Sequence, residues 1–113
     1  MAKKVWHWLD GELFLEENRS MSCIFFFKAT NWWEEGKQVT LVTVCCDDFA
    51  FAEEIAKRVR KFYVNCAQDV FDLLKEISRK VIEKYNKEPE FDIMLSSIKE
   101  NGNYHMKIWF AIE

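Results

Sequence analysis

Residues 49–86, FAFAEEIAKRVRKFYVNCAQDVFDLLKEISRKVIEKYN, contain neither Gly nor Pro. Apolar side chains recur in this segment at intervals of three or four residues, at Phe51, Ile55, Val59, Phe62, Cys66, Val70, Leu73, Ile77, Val81 and Tyr85. An α-helix turns once every 3.6 residues, so this spacing places all of them along one side of a helix. The segment therefore predicts helical structure with one apolar face, whereas the sequence on both sides of it has strand-like patterns.

The helical segment can form either two helices or one. Asp47 or Asp48 is suited to cap its beginning, and Asn65-Cys66-Ala67-Gln68 resembles a capping box that would begin a second helix. One continuous helix would be about 57 Å long, which exceeds the width of a domain of this size and would imply a dimer. We favour two helices with a break near Val64-Asn65.

Before the helical segment, Asp10-Gly11 separates two short runs in which apolar residues are common. A two-residue Asp-Gly loop favours a type I′ β-hairpin because both central residues need positive φ. The resulting register pairs Leu9 with Glu12 and His7 with Phe14. We expect one face of this hairpin to belong to the core and to carry Trp6, Trp8, Leu13 and Leu15. The other face is mixed and could be solvated or covered by a partner; it carries Val5, His7, Leu9, Glu12, Phe14 and Glu16.

Two longer strand-like runs follow, Met21–Thr30 and Gln38–Cys46, and we expect a turn of several residues at 33–36 between them. Both runs are rich in β-branched and aromatic residues, and both carry apolar residues on each face. This pattern is typical of central strands that are covered on both sides. We therefore expect the second face of the sheet to need a cover of its own.

The last two strand-like runs, 91–100 and 103–112, flank Asn101-Gly102, which favours another two-residue turn. A turn centred there pairs Leu95 with Ile108. In this register almost every apolar residue of both strands shares one face. The opposite face carries Asp92, Met94, Ser96, Ile98, His105, Lys107, Trp109 and Ala111.

The order of elements predicts a single α+β domain over residues 1–113. Two β-hairpins, one or two helices and a third β-hairpin would form an antiparallel sheet of about six strands with the helices packed on one face. The chain is 50% hydrophobic and has the length of one domain, without room for a second. The order of the strands in space does not follow from the sequence.

Nothing in the sequence predicts membrane association. The longest uninterrupted apolar runs, Cys23–Phe27 and Ile108–Ile112, are far shorter than the ~20 residues of a membrane-spanning helix. Met1-Ala2-Lys3-Lys4 is basic, but no apolar run follows it that would make a signal peptide. We therefore expect a cytoplasmic protein. Thiols stay reduced in the cytoplasm, and the chain has four of them, Cys23, Cys45, Cys46 and Cys66.

The sequence carries no recognisable catalytic or cofactor motif. The cysteines lack C-x-x-C spacing, and no Gly-rich loop leads into a helix, so we expect no metal and no cofactor. The candidates for catalysis are Cys46, at a strand end before a helix, and His105 or His7 as a general base. The net charge of −3 argues against nucleic-acid binding, although His105, Lys107 and Trp109 share one strand face.

Large aromatic residues beside charged ones indicate a protein-binding surface. The segment Trp32-Trp33-Glu34-Glu35 lies at or beside a hairpin loop, where its tryptophans either bind a partner or fold back over the sheet edge. Acidic groups beside them suit a basic partner. We therefore predict a non-enzymatic binding protein, of the kind that acts as an immunity protein or inhibitor and blocks a partner such as a nuclease toxin. Its predicted contact residues are Trp32, Trp33, Glu34, Glu35, His105, Lys107 and Trp109.

Two alternatives stay open. A structural homodimer would cover the second face of the sheet with its own interface. A small-ligand-binding or enzymatic domain would instead have a cavity between the sheet and the helices, near Cys46, His105 or His7.

Overall fold

The computed structural model describes residues 3–60, 62, 64–97 and 104–113. Along these ranges the elements follow in the order β1 (Lys3–Leu9), β2 (Glu12–Asn18), β3 (Phe25–Glu34), β4 (Lys37–Cys45), α1 (Phe49–Arg60), α2 (Ala67–Tyr85), β5 (Glu90–Ser97) and β6 (Tyr104–Ile112). The strands form one sheet in the order β2-β1-β4-β3-β6-β5, and all neighbouring strands are antiparallel. The predicted α+β class is thus confirmed, and β2 and β5 are the two edges of the sheet.

The first hairpin has the predicted register. Leu9 pairs with Glu12 across a two-residue turn, in which φ is 49° at Asp10 and 86° at Gly11. Positive φ at both positions characterises a type I′ turn, and Gly adopts it without cost because it has no Cβ. The Asp10 carboxylate also accepts a hydrogen bond, 3.3 Å long, from the backbone N–H of Thr40, which fixes the turn to β4.

The hairpin between β3 and β4 is tighter than its sequence indicated. Its turn consists of Glu35 and Gly36 alone, with φ of 50° and 76°. With a two-residue turn, the pairing of β3 and β4 continues as far as Glu34, so β3 extends beyond the predicted strand Met21–Thr30. The strand also begins later than predicted, at Phe25. That prediction was wrong at both ends. Trp32 and Trp33 are consequently strand residues beside the turn.

The third hairpin differs from its predicted register. Leu95 pairs with Met106 and Ile93 with Ile108, whereas a turn centred on Asn101-Gly102 would have paired Leu95 with Ile108. The observed register is shifted by two residues, and a shift of two preserves which side chains share a face. Hydrophobic patterning cannot distinguish two such registers, so the prediction depended on the turn alone. The turn itself lies outside the residues that the structure describes.

The described part of the segment 49–86 contains two helices, Phe49–Arg60 and Ala67–Tyr85, as favoured from the sequence. Asp48 caps α1, because its Oδ1 accepts a hydrogen bond of 3.2 Å from a backbone N–H of the first turn. The predicted cap of α2 by Asn65 and Gln68 was wrong. Asp69 occupies the third helical position instead, and its carboxylate accepts the backbone N–H groups of Asn65 and Cys66 at 2.9 and 3.2 Å. Neither helix in the described ranges is long and apolar enough to cross a membrane.

Both helices pack on one face of the sheet, here called the helix-side face; the opposite face is called the outer face. The core lies between the helices and the four central strands, and its large buried side chains include Trp6, Trp8, Phe25, Phe27, Val42, Val44, Ile55, Val59, Leu73, Ile77, Val81, Ile108 and Phe110. Phe27 and Phe110 are fully buried, and their ring centroids lie 5.6 Å apart. The apolar stripe of the helices and the apolar faces of the central strands therefore bury each other.

The edge strand β2 lies beyond the layer of helices. Leu13 and Leu15 are 47% and 59% exposed, so their predicted place in the core was wrong. Trp6 and Trp8, one strand further in, are buried as predicted. Phe49 at the start of α1 lies over Trp6, with ring centroids 5.3 Å apart, and is itself partly exposed. The helix layer thus ends above β1, and the side chains of β2 stay in solvent.

Candidate functional site

The outer face of the sheet is made of alternate residues from all the strands, and their registers align the side chains in rows across it. One row contains, from β2 to β5, Phe14, His7, Thr43, Lys28, Trp109 and Asp92. The next row contains Glu12, Leu9, Leu41, Thr30, Lys107 and Met94. Both helices lie on the other face, so the described part of the chain leaves the middle of this face only half-buried.

Most of the predicted contact residues share the outer face. His105, Lys107 and Trp109 alternate along β6, so all three project from the same side. Trp32 has the same orientation on β3, and continuing the register between β3 and β6 places it beside His105. We call these four residues the β3–β6 band. It combines two half-exposed indoles with basic side chains near the centre of the sheet.

The other predicted contact residues do not complete the band. Trp33 lies on the helix-side face, because adjacent residues of a strand point to opposite faces. Glu34 is the last residue of β3 and belongs to the outer face, and Glu35 begins the turn; both are exposed. The structure therefore brings two carboxylates to one end of the band but separates Trp33 from Trp32.

Three further residues belong to the same surface although they were not among the predicted contact residues. Lys28 and Asp92 pair with Trp109 from its two neighbouring strands. Met94 pairs with Lys107 and is 63% exposed. The alternation in the sequence had placed Asp92 and Met94 on this face, but only the spatial order of the strands brings Lys28 next to Trp109.

Shallow depressions run along the band. Two open depressions of about 430 Å³ each share Lys107 in their walls. A smaller one of about 170 Å³ is lined by Asp92, Met94, Lys107 and Trp109. A row of open hollows can receive side chains of a protein partner, whereas small-molecule sites usually enclose most of their ligand.

His7 is held at the outer face by two hydrogen-bonding contacts. Its Nδ1 lies 2.9 Å from Thr43 Oγ1 and its Nε2 lies 2.8 Å from Glu16 Oε2. Both ring nitrogens are thus engaged, and action as a general base would require one contact to break. Across the sheet, His7 and His105 are three strand intervals apart, roughly 14 Å at ~4.8 Å per interval, and His105 also lies two rows along the strands from His7. The two histidines do not form a joint site.

Cys46 lies in the core, on the other side of the sheet from His105. Its thiol donates a hydrogen bond of 3.1 Å to the carbonyl oxygen of Asp48. Burial raises the pKa of this thiol, and the charges of Asp47 and Asp48 raise it further. A raised pKa favours the protonated sulfur, which is the less nucleophilic form. Among the residues described here, no three His, Cys, Asp or Glu side chains are grouped so that they could hold a metal ion.

The outer face thus combines half-buried tryptophans and lysines on its inner strands with an exposed methionine and an exposed carboxylate on the edge strand β5. Aromatic residues and methionine are enriched in protein interfaces, whereas lysine is depleted there. Comparisons with protein-family models, with curated proteins and with solved structures found no significant match. A fold by itself does not determine a function, so the functional argument depends on the chemistry of this surface.

Proposed function

We propose that this protein is a small, non-enzymatic cytoplasmic domain that binds another protein through the outer face of its sheet. The observation that carries the proposal is the β3–β6 band together with Met94. These residues place two half-buried indoles near the middle of a face that the described helices do not cover, and the 63% exposed side chain of Met94 on the neighbouring edge strand β5. Tryptophan is the residue most often responsible for binding energy in interfaces, and an apolar patch with a charged rim is typical of them.

The charges around the band support a partner with a basic surface. Glu34, Glu35 and Asp92 are exposed carboxylates on or beside the outer face, and the whole chain has a net charge of −3. Such groups accelerate the encounter with a basic partner and disfavour acidic ones. Lys107 belongs to the band and Lys28 lies beside it, next to Trp109, so the partner would place hydrogen-bond acceptors opposite both lysines. We propose accordingly that the protein is an inhibitor or immunity protein of an enzyme with a basic active site.

The binding proposal is tested by affinity capture from native lysate with matched variants. Trp109→Ala and Lys107→Glu alter the band, whereas Phe71→Ala removes a 48% exposed aromatic side chain from α2, away from the outer face. Thermal unfolding followed by circular dichroism must show that all variants stay folded. A stoichiometric protein that wild type and Phe71→Ala retain, and that both band variants lose by about tenfold or more, supports the proposal. Equal retention by all four proteins contradicts it.

The inhibitor proposal needs the activity of the captured enzyme. That activity would be measured against increasing concentrations of wild type and of Glu35→Lys. Complete inhibition at an equimolar ratio by wild type, with a weaker effect of the charge-reversal variant, is the expected result. A captured enzyme that stays fully active in the complex would contradict the inhibitor class while the protein-binding function stands.

Self-association is the second candidate function, because a second copy could cover the same half-exposed face. Light scattering over a range of concentrations separates the two. A dimer that Trp109→Ala dissociates and Phe71→Ala does not would favour self-association through the outer face. A monomer at the highest concentration would exclude it.

A further inference from the structure

β2 is an edge strand with backbone groups available for pairing. It pairs with β1 along its whole length, from Asn18 opposite Lys3 to Glu12 opposite Leu9, and the sheet of the described residues ends there. In an edge strand, every second residue directs its N–H and C=O groups away from the sheet. The uninterrupted register shows no bulge, so β2 offers seven residues of regular strand to an additional partner.

The side chains of β2 protect this edge only in part. Natural edge strands are commonly blocked by charged side chains, especially Lys, or by Pro, a bulge or a very short length. Glu12–Asn18 has no Lys, Pro or bulge, and its only charged side chains are three glutamates. At its centre stand Leu13, Phe14 and Leu15, which are 47%, 49% and 59% exposed. A neighbouring strand would bury apolar side chains on both faces at once.

On the helix-side face, the edge continues into a larger apolar surface. Leu13 lies opposite Trp8, and Leu15 lies opposite Trp6. Phe49 packs over both indoles, with centroid distances of 5.3 Å to Trp6 and 6.2 Å to Trp8. Side chains of an added strand that point to this side would therefore contact the two leucines and extend the existing core.

The charged groups of β2 are all negative. Glu12 and Glu16 project from the outer face, Glu17 projects from the helix-side face, and all three are exposed. A neighbouring strand with Lys or Arg opposite these carboxylates would gain cross-strand ion pairs, and acidic residues there would be repelled. The edge is thus complementary to a strand that is apolar in its middle and basic towards its ends.

A second copy of this chain fits the edge poorly. Antiparallel pairing of two β2 strands about Phe14 would place Glu12 opposite Glu16 twice. Pairing about Leu15 would place Leu13 opposite Glu17 and Phe14 opposite Glu16. Both arrangements put carboxylates against like charges or apolar side chains, which destabilises strand pairs.

From these observations we infer that the free edge of β2 is a docking site for an extended, basic segment of another protein, which adds a further strand to the sheet. Strand addition of this kind derives affinity from backbone hydrogen bonds and specificity from alternate side chains. In the antiparallel orientation the segment has the pattern Lys-Lys-Val-Thr-Val-Lys. Its bases then face Glu17, Glu16 and Glu12, and its valines face Leu15 and Leu13. This surface is distinct from the β3–β6 band, and the inference does not depend on the proposed function.

The test uses a fluorescent peptide that contains this pattern between Gly-Ser flanks, titrated with the full-length protein and followed by anisotropy. Leu15→Lys should weaken binding by about tenfold or more, since it removes an apolar contact and repels the bases. Phe91→Lys is the matched control, because Phe91 is 54% exposed on the helix-side face of the other edge strand. This control should bind the peptide like wild type.

Two control peptides test the mode of binding. A peptide with Glu in place of each Lys should bind about tenfold more weakly or worse. A second peptide carries N-methyl groups on those alternate backbone nitrogens that would face β2. It cannot donate the hydrogen bonds of the ladder and should not bind. Equal binding of the N-methylated peptide, or no binding of the original peptide, would overturn strand addition.

Further variants separate a local effect on the site from loss of folding and locate the peptide. Glu12→Lys should weaken binding of the basic peptide and strengthen binding of the acidic peptide. An unfolded protein would not show this reversal. If the folded Trp109→Ala variant no longer bound the basic peptide, the peptide would lie on the outer face near Trp109. That result would overturn the assignment to β2. A homodimer that Leu15→Lys dissociates would overturn the choice of occupant in favour of a second copy.

Discussion

The side chains of Asp48 and Lys84 join the beginning of α1 to the end of α2. Lys84 Nζ donates a hydrogen bond of 2.9 Å to Asp48 Oδ2, while Oδ1 of the same carboxylate accepts the backbone N–H of Phe51 at 3.2 Å. The hydrogen bond from Lys84 lowers the pKa of Asp48, and the N–H of Phe51 lowers it further. The same contact raises the pKa of Lys84. One carboxylate thus caps a helix and connects the two helices.

Substitutions at Asp48 should separate these two roles. Asp48→Asn keeps an N-cap acceptor but loses the ion pair, whereas Asp48→Ala loses both, so Tm should fall in the order wild type, Asp48→Asn, Asp48→Ala. Asp47→Asn is the control at the adjacent position. Thermal unfolding by circular dichroism at neutral pH measures all four proteins. Equal Tm values for the Asn and Ala variants would contradict a capping role.

The pH dependence of this effect has a defined sign. The pKa of Asp48 is lower in the folded protein than its ordinary value of 3.8, so its stabilisation is complete above the unfolded pKa and is lost as pH falls through the folded pKa. The Tm difference between wild type and Asp48→Asn should therefore shrink as the pH is lowered below about 3.8. A difference that stayed constant down to the acid transition would show that the ion pair does not stabilise the fold.

Phe110 and Phe91 provide a matched pair for the core. Their ring centroids lie 6.2 Å apart, but Phe110 is fully buried and Phe91 is 54% exposed. We expect Phe110→Ala to lower the free energy of unfolding by about 3–5 kcal/mol, because it removes buried surface and leaves a cavity. Phe91→Ala should cost less than half of that. Urea unfolding of both variants measures the difference, and similar losses would mean that the edge strand is as important as the core.

In the turn between β3 and β4, a substitution of Glu35 should stabilise the protein and a substitution of Gly36 should destabilise it. Glu35 has φ of 50°, a conformation that Asn tolerates better than Glu, so Glu35→Asn should stabilise the protein by up to about 1 kcal/mol. Gly36 has φ of 76° and open space around it, so Gly36→Ala should destabilise through backbone strain alone, by about 1 kcal/mol. Chemical denaturation of the two variants checks the opposite signs.

The reactivity of the thiols tests the catalytic alternative. Cys66 is exposed, whereas Cys45 and Cys46 are buried and burial raises the pKa of both thiols. A disulfide reagent at neutral pH should therefore modify Cys66 first, and Cys66→Ser should remove this phase. Cys45 and Cys46 should react only at the rate of unfolding. Rapid modification of Cys46 in the folded protein would instead support a nucleophilic role.

Patterns with a short range along the chain were sufficient for much of this fold. Asp10-Gly11 determined the register of the first hairpin, and the apolar intervals of 49–86 located the helices. The alternation of His105, Lys107 and Trp109 placed them on one face before the position of β6 was known. Each inference depended on the period of a single element or on the φ values of a turn, which neighbouring residues determine.

The errors at Leu13, Leu15 and Leu95 concern properties that depend on distant residues, whereas those at the cap of α2, at the turn between β3 and β4 and at Trp33 are local. Leu13 and Leu15 have the alternation of core residues, but they are exposed because the layer of helices ends above the neighbouring strand. Leu95 lies on the predicted face but pairs with Met106 instead of the predicted Ile108. Both registers bury the same side chains, so the pattern could not distinguish them. Trp33 was grouped with Trp32 by proximity in sequence, and the strand places them on opposite faces.

The sequence by itself thus determined the class of fold, the order of helices and strands, and which side chains of one strand share a face. These properties follow from local periodicity and turn chemistry. Only the tertiary structure decided which strands are neighbours. The order β2-β1-β4-β3-β6-β5 brings Lys28 beside Trp109, assembles the band at the centre of the sheet and leaves β2 at its edge. That order results from long-range pairing and from burial beneath the helices, and neither depends on residues close together in the chain.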